Sequence, residues 1–313
     1  MEITIPVGNI VNTKVMYTSS ILEKDIQNLK LIYPFLENGE VGKSVLNKSI
    51  PYIKIGNGNK KVFYSAAFHA NEWITSPVLM KFLEDYAKAF VENKNIFGYS
   101  AQALYYTTSL YIVPMVNPDG VDLVTGSIQD VENAYKNAMK IANNFTEIPF
   151  PDGWKANING VDLNLQFPAG WKQAKEIKFS QGYTMPAPKN YVGIAPISEP
   201  ESRAIYDFTL KNNFKLVIAY HTQGKEIYWN FQNLAPESAK IIGEKFAKVS
   251  GYLLAEVPYN SSFAGYKDWF IQDYIKPGYT VEAGLGENPL PISQFDEIYN
   301  DNIGNLVLGL VNA

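Results

Sequence analysis

Apolar and polar positions along this chain switch repeatedly between two periods. The run "KVFYSAA" (61–67) is short, apolar and rich in β-forming residues, and "GNGNK" bounds it, so it reads as a buried strand. Directly after it, "NEWITSPVLMKFLEDYAKAFVEN" places Val78, Leu79, Phe82, Leu83, Tyr86 and Phe90 at helical spacing. "SLYIVPMVNPDG" (109–120) is a second apolar run that stops in the turn-forming Asn117-Pro118-Asp119-Gly120. "FKLVIAYHTQG" (214–224) and "KPGYTVEAGLG" (276–286) read as further strands. Helical spacing returns in "SEPESRAIYDFTLKN", which opens on Ser198 with Glu201 three places on, a capping-box pattern. It also marks 236–251, with Gly251 as its stop, and 293–313. Strands alternating with helices predict an α/β sheet covered by helices on both faces, with its chemistry at the carboxyl ends of the strands. No repeat, linker or low-complexity segment interrupts residues 1–313, so a single domain is expected.

Hydrophobic residues make up 46% and charged residues 19%, enough to build a core and unlike a disordered chain. A net charge of -4 without any lysine-rich run excludes a nucleic-acid footprint. No apolar stretch approaches the ~18 residues of a membrane span, and the N-terminus lacks a basic region followed by an apolar run. No membrane partner and a cytoplasmic location are therefore expected, while the oligomeric state stays open.

Cysteine is absent, which removes disulfides, thiolate metal sites and a Cys nucleophile together. Any transition metal must then use His and carboxylate. The chain has 2 histidines, His69 and His221, and both fall at the ends of predicted strands. His69 also stands three places before Glu72, at a strand-to-helix corner where the two side chains can point to one side. Two His plus one Glu is a recognised catalytic zinc set that leaves a fourth position open. From the residues alone, a metal site and two structural histidines remain alternatives.

The words around these residues point further. "FHANEW", "VPMVNPDGV", "NGVDLNLQFPAGW", "SEPESR", "AYHTQG", "AGYKDWF" and "YTVEAGLGENPLP" follow one another in this order. Together they resemble the zinc metallocarboxypeptidase family, the carboxypeptidase A-like fold, from roughly residue 15 onward, with 1–15 as an N-terminal extension. The resemblance implies a mixed, mostly parallel twisted sheet and one Zn2+ held by His69, Glu72 and His221. It implies Glu282 as the general base toward a metal-activated water, and Asp162 as the carboxylate that orients the first histidine.

Two departures narrow the reading. Where carboxypeptidases of this family carry an arginine that helps to bind the substrate's terminal carboxylate, this chain has Leu165, beside the neutral Asn164. In the slot of the family's oxyanion arginine stands Lys155, a point charge rather than a fork. The one arginine, Arg203, belongs to the first turn of a predicted helix and fills neither role. "LNLQFPAGW" and "YHTQGKEIYW" look like the γ-D-glutamyl-diamino acid peptidases, which cut the bond to meso-diaminopimelate or lysine in peptidoglycan stem peptides. An internal cut has less need of a terminal-carboxylate clamp, and Leu165 fits it. No LysM or other wall-binding module is expected. Lys267 falls where the family lines the pocket for the residue after the cut, and is expected to receive a substrate carboxylate. Tyr259 is the nearest match to the family's mobile tyrosine. An ordinary metallocarboxypeptidase and an inactive peptide-binding member are the alternatives.

Overall fold

The structure, a computed structural model, describes residues 9–129 and 131–313. Residues 1–8 of the expected extension lie outside the described residues. Ile10 and Val11 are tied down by backbone N–H bonds to Glu84, at 2.7 and 3.2 Å.

In chain order the first elements are α1 (Ser19–Ile32), β1 (Glu37–Lys43), β2 (Ser49–Ile55), β3 (Lys60–Ala66) and α2 (Thr75–Val91). The short strands β4 (Asn95–Ile96) and β5 (Tyr99–Ser100) pair with each other and lead into α3 (Ala101–Thr107) and β6 (Thr108–Val113). Four helices follow, α4 (Pro118–Val124), α5 (Asn133–Ala142), α6 (Trp171–Ser180) and α7 (Pro200–Lys211). The chain then forms β7 (Phe214–His221), β8 (Glu226–Tyr228), α8 (Glu237–Ser250), β9 (Leu253–Ala255), α9 (Tyr266–Tyr274), β10 (Gly278–Glu282) and α10 (Phe295–Val311).

Among the described residues, eight strands make one sheet in the order β1-β2-β6-β3-β7-β10-β8-β9. Its centre, β6-β3-β7-β10, is parallel, while β1, β2 and β8 join antiparallel and β9 runs parallel to β8. The sheet is thus mixed and mostly parallel, as expected. The edge strand β1 was not read from sequence, because "ENGEVGK" is too polar and exposed to look like a strand.

Alternate residues of the central strands feed two cores. Val62, Tyr64 and Ala66 of β3, with Leu216, Ile218 and Tyr220 of β7, pack with α2, α8 and α10. Phe63, Phe214, Val217 and Ala219 face the other way, against Tyr266, Trp269 and Phe270 of α9. Burial on both faces explains why these strands read as continuous apolar runs rather than alternating ones.

Two local expectations change. The capping box at Ser198 and Glu201 does not form: α7 starts at Pro200, with Glu199 flanking it. The Ser198 N–H instead bonds Gln166 Oε1 at 2.8 Å, and the Glu201 carboxylate accepts from Val45 N–H at 3.0 Å and Asn157 Nδ2 at 3.2 Å. Long-range partners outcompete the local cap. The turn anticipated at 117–120 is the start of α4, where the Asn117 side chain accepts from Gly120 N–H at 3.0 Å and Pro118 takes a position that needs no N–H. The stop at Gly251 holds, with φ of 73°, a left-handed value that glycine adopts without Cβ strain. No helix among the described residues is long and apolar enough to cross a membrane.

Candidate metal centre and active site

β3 ends at Ala66, and the chain leaves the sheet through Ala67 in the left-handed region, with φ of 50°. Three side chains or backbones then pin the loop that carries His69 and Glu72. Thr75 Oγ1 accepts from Ala67 N–H at 3.1 Å and donates to the Glu72 carbonyl at 2.7 Å. Asn117 Nδ2 donates to the carbonyls of Phe68 (3.2 Å) and Ala156 (2.9 Å), and Ala70 N–H bonds the Lys155 carbonyl at 3.0 Å. The loop backbone is therefore satisfied by tertiary partners, and residues 70–72 form a tight 3-10 turn rather than extending α2.

His221 is the last residue of β7 and Glu282 the last of β10, and the two are register partners across the parallel pair. The other half of the site thus follows from strand pairing. His69 Nδ1 lies 2.9 Å from Glu72 Oε1, and His221 Nδ1 lies 2.8 Å from Glu72 Oε2. The two Nδ1 atoms are 3.2 Å apart. The far side of His69 is held by Asp162, with Nε2 to Oδ1 at 3.1 Å, and Asp162 is itself fixed by Asn164 N–H (3.2 Å) and Asn190 N–H (3.1 Å). Phe68 stacks on the His221 ring at 6.0 Å between centroids.

The donors fit zinc. One ligand atom from each of His69, Glu72 and His221 lies within 4.8 Å of the others. The 3.2 Å between ring nitrogens is close to the ~3.3 Å edge of a tetrahedron with bonds of about 2.0–2.1 Å. A carboxylate on the outer nitrogen of a ligating histidine fixes its tautomer and orientation.

The protein groups alone also call for positive charge at this point. Burial opposes a charge on His69, yet Glu72 and Asp162 outweigh it and push the ring up to about 10. Asp162 is held down to about 2, against its own burial, by His69 and by the Asn190 N–H. Burial lowers His221, and Glu72, although buried, is held well below its usual range by His69, Lys155 and His221. Burial, then the Glu72 carboxylate, push Glu282 up to about 8. A dication on the three ligands reverses that last effect and favours ionised Glu282.

A cavity of about 380 Å³ opens above these groups, lined by His69, Asp162, Glu282, Lys155, Asn164 and Leu165 among others. Lys155 Nζ donates to Glu72 Oε1 at 2.8 Å, which puts its charge beside the metal ligands. Asn164 Oδ1 is taken by Tyr266 N–H at 3.0 Å, and its Nδ2 donates to no described residue. Lys267 also lines the cavity; it is 3% exposed and engaged with the Asn230 carbonyl at 2.7 Å and Asp268 at 2.5 Å. Tyr259 is not brought here: it is 64% exposed, with its ring edge-on to Phe263, although its neighbours Pro258 and Ser261 line the cavity.

Tyr228, which the sequence did not single out, does line the cavity, with its hydroxyl bonded to Glu226. The available signal was its place in "KEIYW", a short strand that pairs with the one ending at Glu282. Lys178 of α6 also lines the cavity and was not singled out, since one lysine in an amphipathic helix looks like any other. Arg203 donates to the Ile197 carbonyl, in keeping with a structural role.

The model of the zinc carboxypeptidase family, Peptidase_M14, matches residues 22–304. The chain belongs to the zinc carboxypeptidase family. It is a zinc-dependent hydrolase, and His69, Glu72 and His221 are grouped so that they could hold a metal ion. Among relatives, it is 48% identical over 301 residues to "Gamma-D-glutamyl-L-diamino acid endopeptidase 1" of Lysinibacillus sphaericus, a match covering 96% of this chain and 74% of that one. Among solved structures, carboxypeptidase A from Helicoverpa armigera superposes with a TM-score of 0.72 at 20% identity, covering 96% of this chain and 74% of that one. The murein-tripeptide amidase MpaA from Escherichia coli O157 gives a TM-score of 0.54 at 19% identity, covering 87% and 91%. At these identities the two structures speak for the shared zinc carboxypeptidase fold.

Proposed function

We propose that this chain hydrolyses the γ-D-glutamyl bond to meso-diaminopimelate or L-lysine in peptidoglycan-derived peptides. The observation that carries this reading is the 48% identity, across 96% of the chain, to a protein named for that bond. The cavity agrees with it. Leu165 offers no charge to a terminal carboxylate, while Lys155 and Lys267 suit a substrate with several carboxylates.

Zinc, when bound, supplies Lewis-acid chemistry that polarises the scissile carbonyl and acidifies water. Glu282 takes the proton of the attacking water and returns it to the leaving nitrogen, and its carboxylate donates or accepts nothing among the described residues that would compete. Lys155 stands by for the charge that develops on the carbonyl oxygen. Asn164 offers its free Nδ2 to a substrate oxygen, and Asp162 keeps His69 in place. Lys267 hydrogen-bonds only the Asn230 carbonyl, with Asp268 as its ion-pair partner, and we assign it a carboxylate of diaminopimelate.

Zinc-loaded protein is to be offered L-Ala-γ-D-Glu-meso-diaminopimelate, its lysine counterpart and a peptide ending in phenylalanine, with products identified by mass. The expected result is release of L-Ala-D-Glu and no release of phenylalanine, and Lys267→Ala erodes any preference for diaminopimelate over lysine. Release of phenylalanine alone would overturn the reading in favour of an ordinary carboxypeptidase.

A further inference from the structure

Three lysines line the central cavity, and they differ in how their charge is met. Lys155 pairs with Glu72 at 2.8 Å, and Lys267 pairs with Asp268 at 2.5 Å. Lys178 is 6% exposed, yet its Nζ has a single bond, a 3.2 Å donation to the Asn260 carbonyl, and among the described residues no carboxylate lies within 4.0 Å of it. Two of its three N–H donors are left over.

The position of Lys178 on its helix makes this unusual. In α6 it follows Ala174 by four places, so it occupies the buried face, whereas Lys172 is exposed and Lys175 lies over the rings of Trp171 and Phe179. A lysine in an apolar slot normally extends its head to water or to an acid. Here the head reaches the rim formed by residues 259–261 and the wall of the cavity that also holds His69 and Glu282. Burial lowers its pKa, and the more distant Asp162 offsets this only in part. A buried ammonium without a counter-ion is costly in the free protein and becomes an asset when a ligand brings the anion.

We infer that Lys178 is a specificity-determining residue that receives a substrate carboxylate in the active-site cavity. The inference rests on the peptidase reading above and adds to it a second receptor on an element, α6, that carries none of the metal ligands or the base. Unlike Lys267, whose charge Asp268 already meets, Lys178 draws its counter-charge from the substrate.

The test uses the zinc-loaded enzyme and L-Ala-γ-D-Glu-meso-diaminopimelate, together with the three peptides in which one of its carboxylates is converted to the amide. For the wild type, amidation at one position is expected to raise KM at least about tenfold while kcat changes little, the scale of one charge-assisted hydrogen bond. Lys178→Met is expected to cut that amide and the parent acid equally well, and Lys178→Arg to restore the discrimination. Lys178→Gln serves as the neutral variant if methionine prevents folding. Zinc content is expected to be unchanged, and the melting temperature of the neutral variant to rise, because an unpaired buried charge has been removed. If the neutral variants keep the wild-type discrimination against every amide, or lose activity equally on all four peptides, the inference fails while the peptidase reading stands. If the wild type cuts none of the four, both fall.

Discussion

Two glutamates, the half-buried Glu282 and the fully buried Glu201, share nearly the same electrostatic strain and have opposite surroundings. Burial pushes Glu201 up to about 7 and Glu282 up to about 8. Glu201 spends its oxygens on Val45 N–H and Asn157 Nδ2, and Asn157 also donates to Glu199 at 2.8 Å. It lies fully buried and ties the loop after β1 to the loop before Asp162. Glu282 has no hydrogen-bond partner among the described residues and faces a cavity beside three groups that could hold a metal ion. A perturbed carboxyl therefore does not identify a site by itself; unfilled bonding capacity aimed at open space does.

Breaking the comparison at its strongest point means Glu282→Gln. That change is expected to keep zinc and lower kcat by about 10²- to 10⁴-fold, the range for losing an acid/base group, whereas Glu201→Gln leaves kcat within severalfold. Steady-state kinetics with zinc content measured on both proteins decides it, and equal losses would erase the distinction. Lys155→Met comes next, with a loss of about 10² in kcat if its ammonium meets the developing oxyanion, and Lys155→Arg is expected to recover most of that loss. Equal activity of Lys155→Met and wild type would remove Lys155 from the chemistry.

The smallest effect sharpens the structural side. Glu201 has a folded pKa above its unfolded value, so between about pH 4.5 and 7 the native state holds a proton that the unfolded chain has released. Its contribution to stability is thus greatest at low pH, falls as pH rises through that window, and levels off above it. At about 1.4 kcal/mol per unit the whole effect is at most about 3.5 kcal/mol. Denaturant melts from pH 4 to 8 should show this slope in the wild type and a flatter one in Glu201→Gln, and an unchanged slope would assign the pH dependence elsewhere.

The cavity end of the molecule was readable because its candidate residues sit at or just past the points where apolar runs stop. His221 and Glu282 each close a buried strand and parallel pairing alone brings them side by side, while His69 lies three residues past the end of β3. Ordered motifs carried Glu72, Asp162, Asn164 and Lys155. The polar edge strands stayed hidden, since an exposed strand such as Glu37–Lys43 has no hydrophobic alternation to read. The Ser198–Glu201 pattern misled because a local cap and a long-range bond compete for the same carboxylate, and sequence shows only the first. Tyr228 and Lys178 were invisible for a related reason: their place on the cavity wall depends on what the fold packs around them, and neither spacing nor residue type records it.

The central claim is that one of these two carboxylate regions is a metal centre and the other is not. Native mass spectrometry of the zinc-loaded wild type, His221→Ala and Glu201→Gln tests it most directly. The account predicts one zinc per chain in the wild type and in Glu201→Gln, and none in His221→Ala. Zinc retained by His221→Ala, or lost with Glu201→Gln in a folded protein, would contradict it.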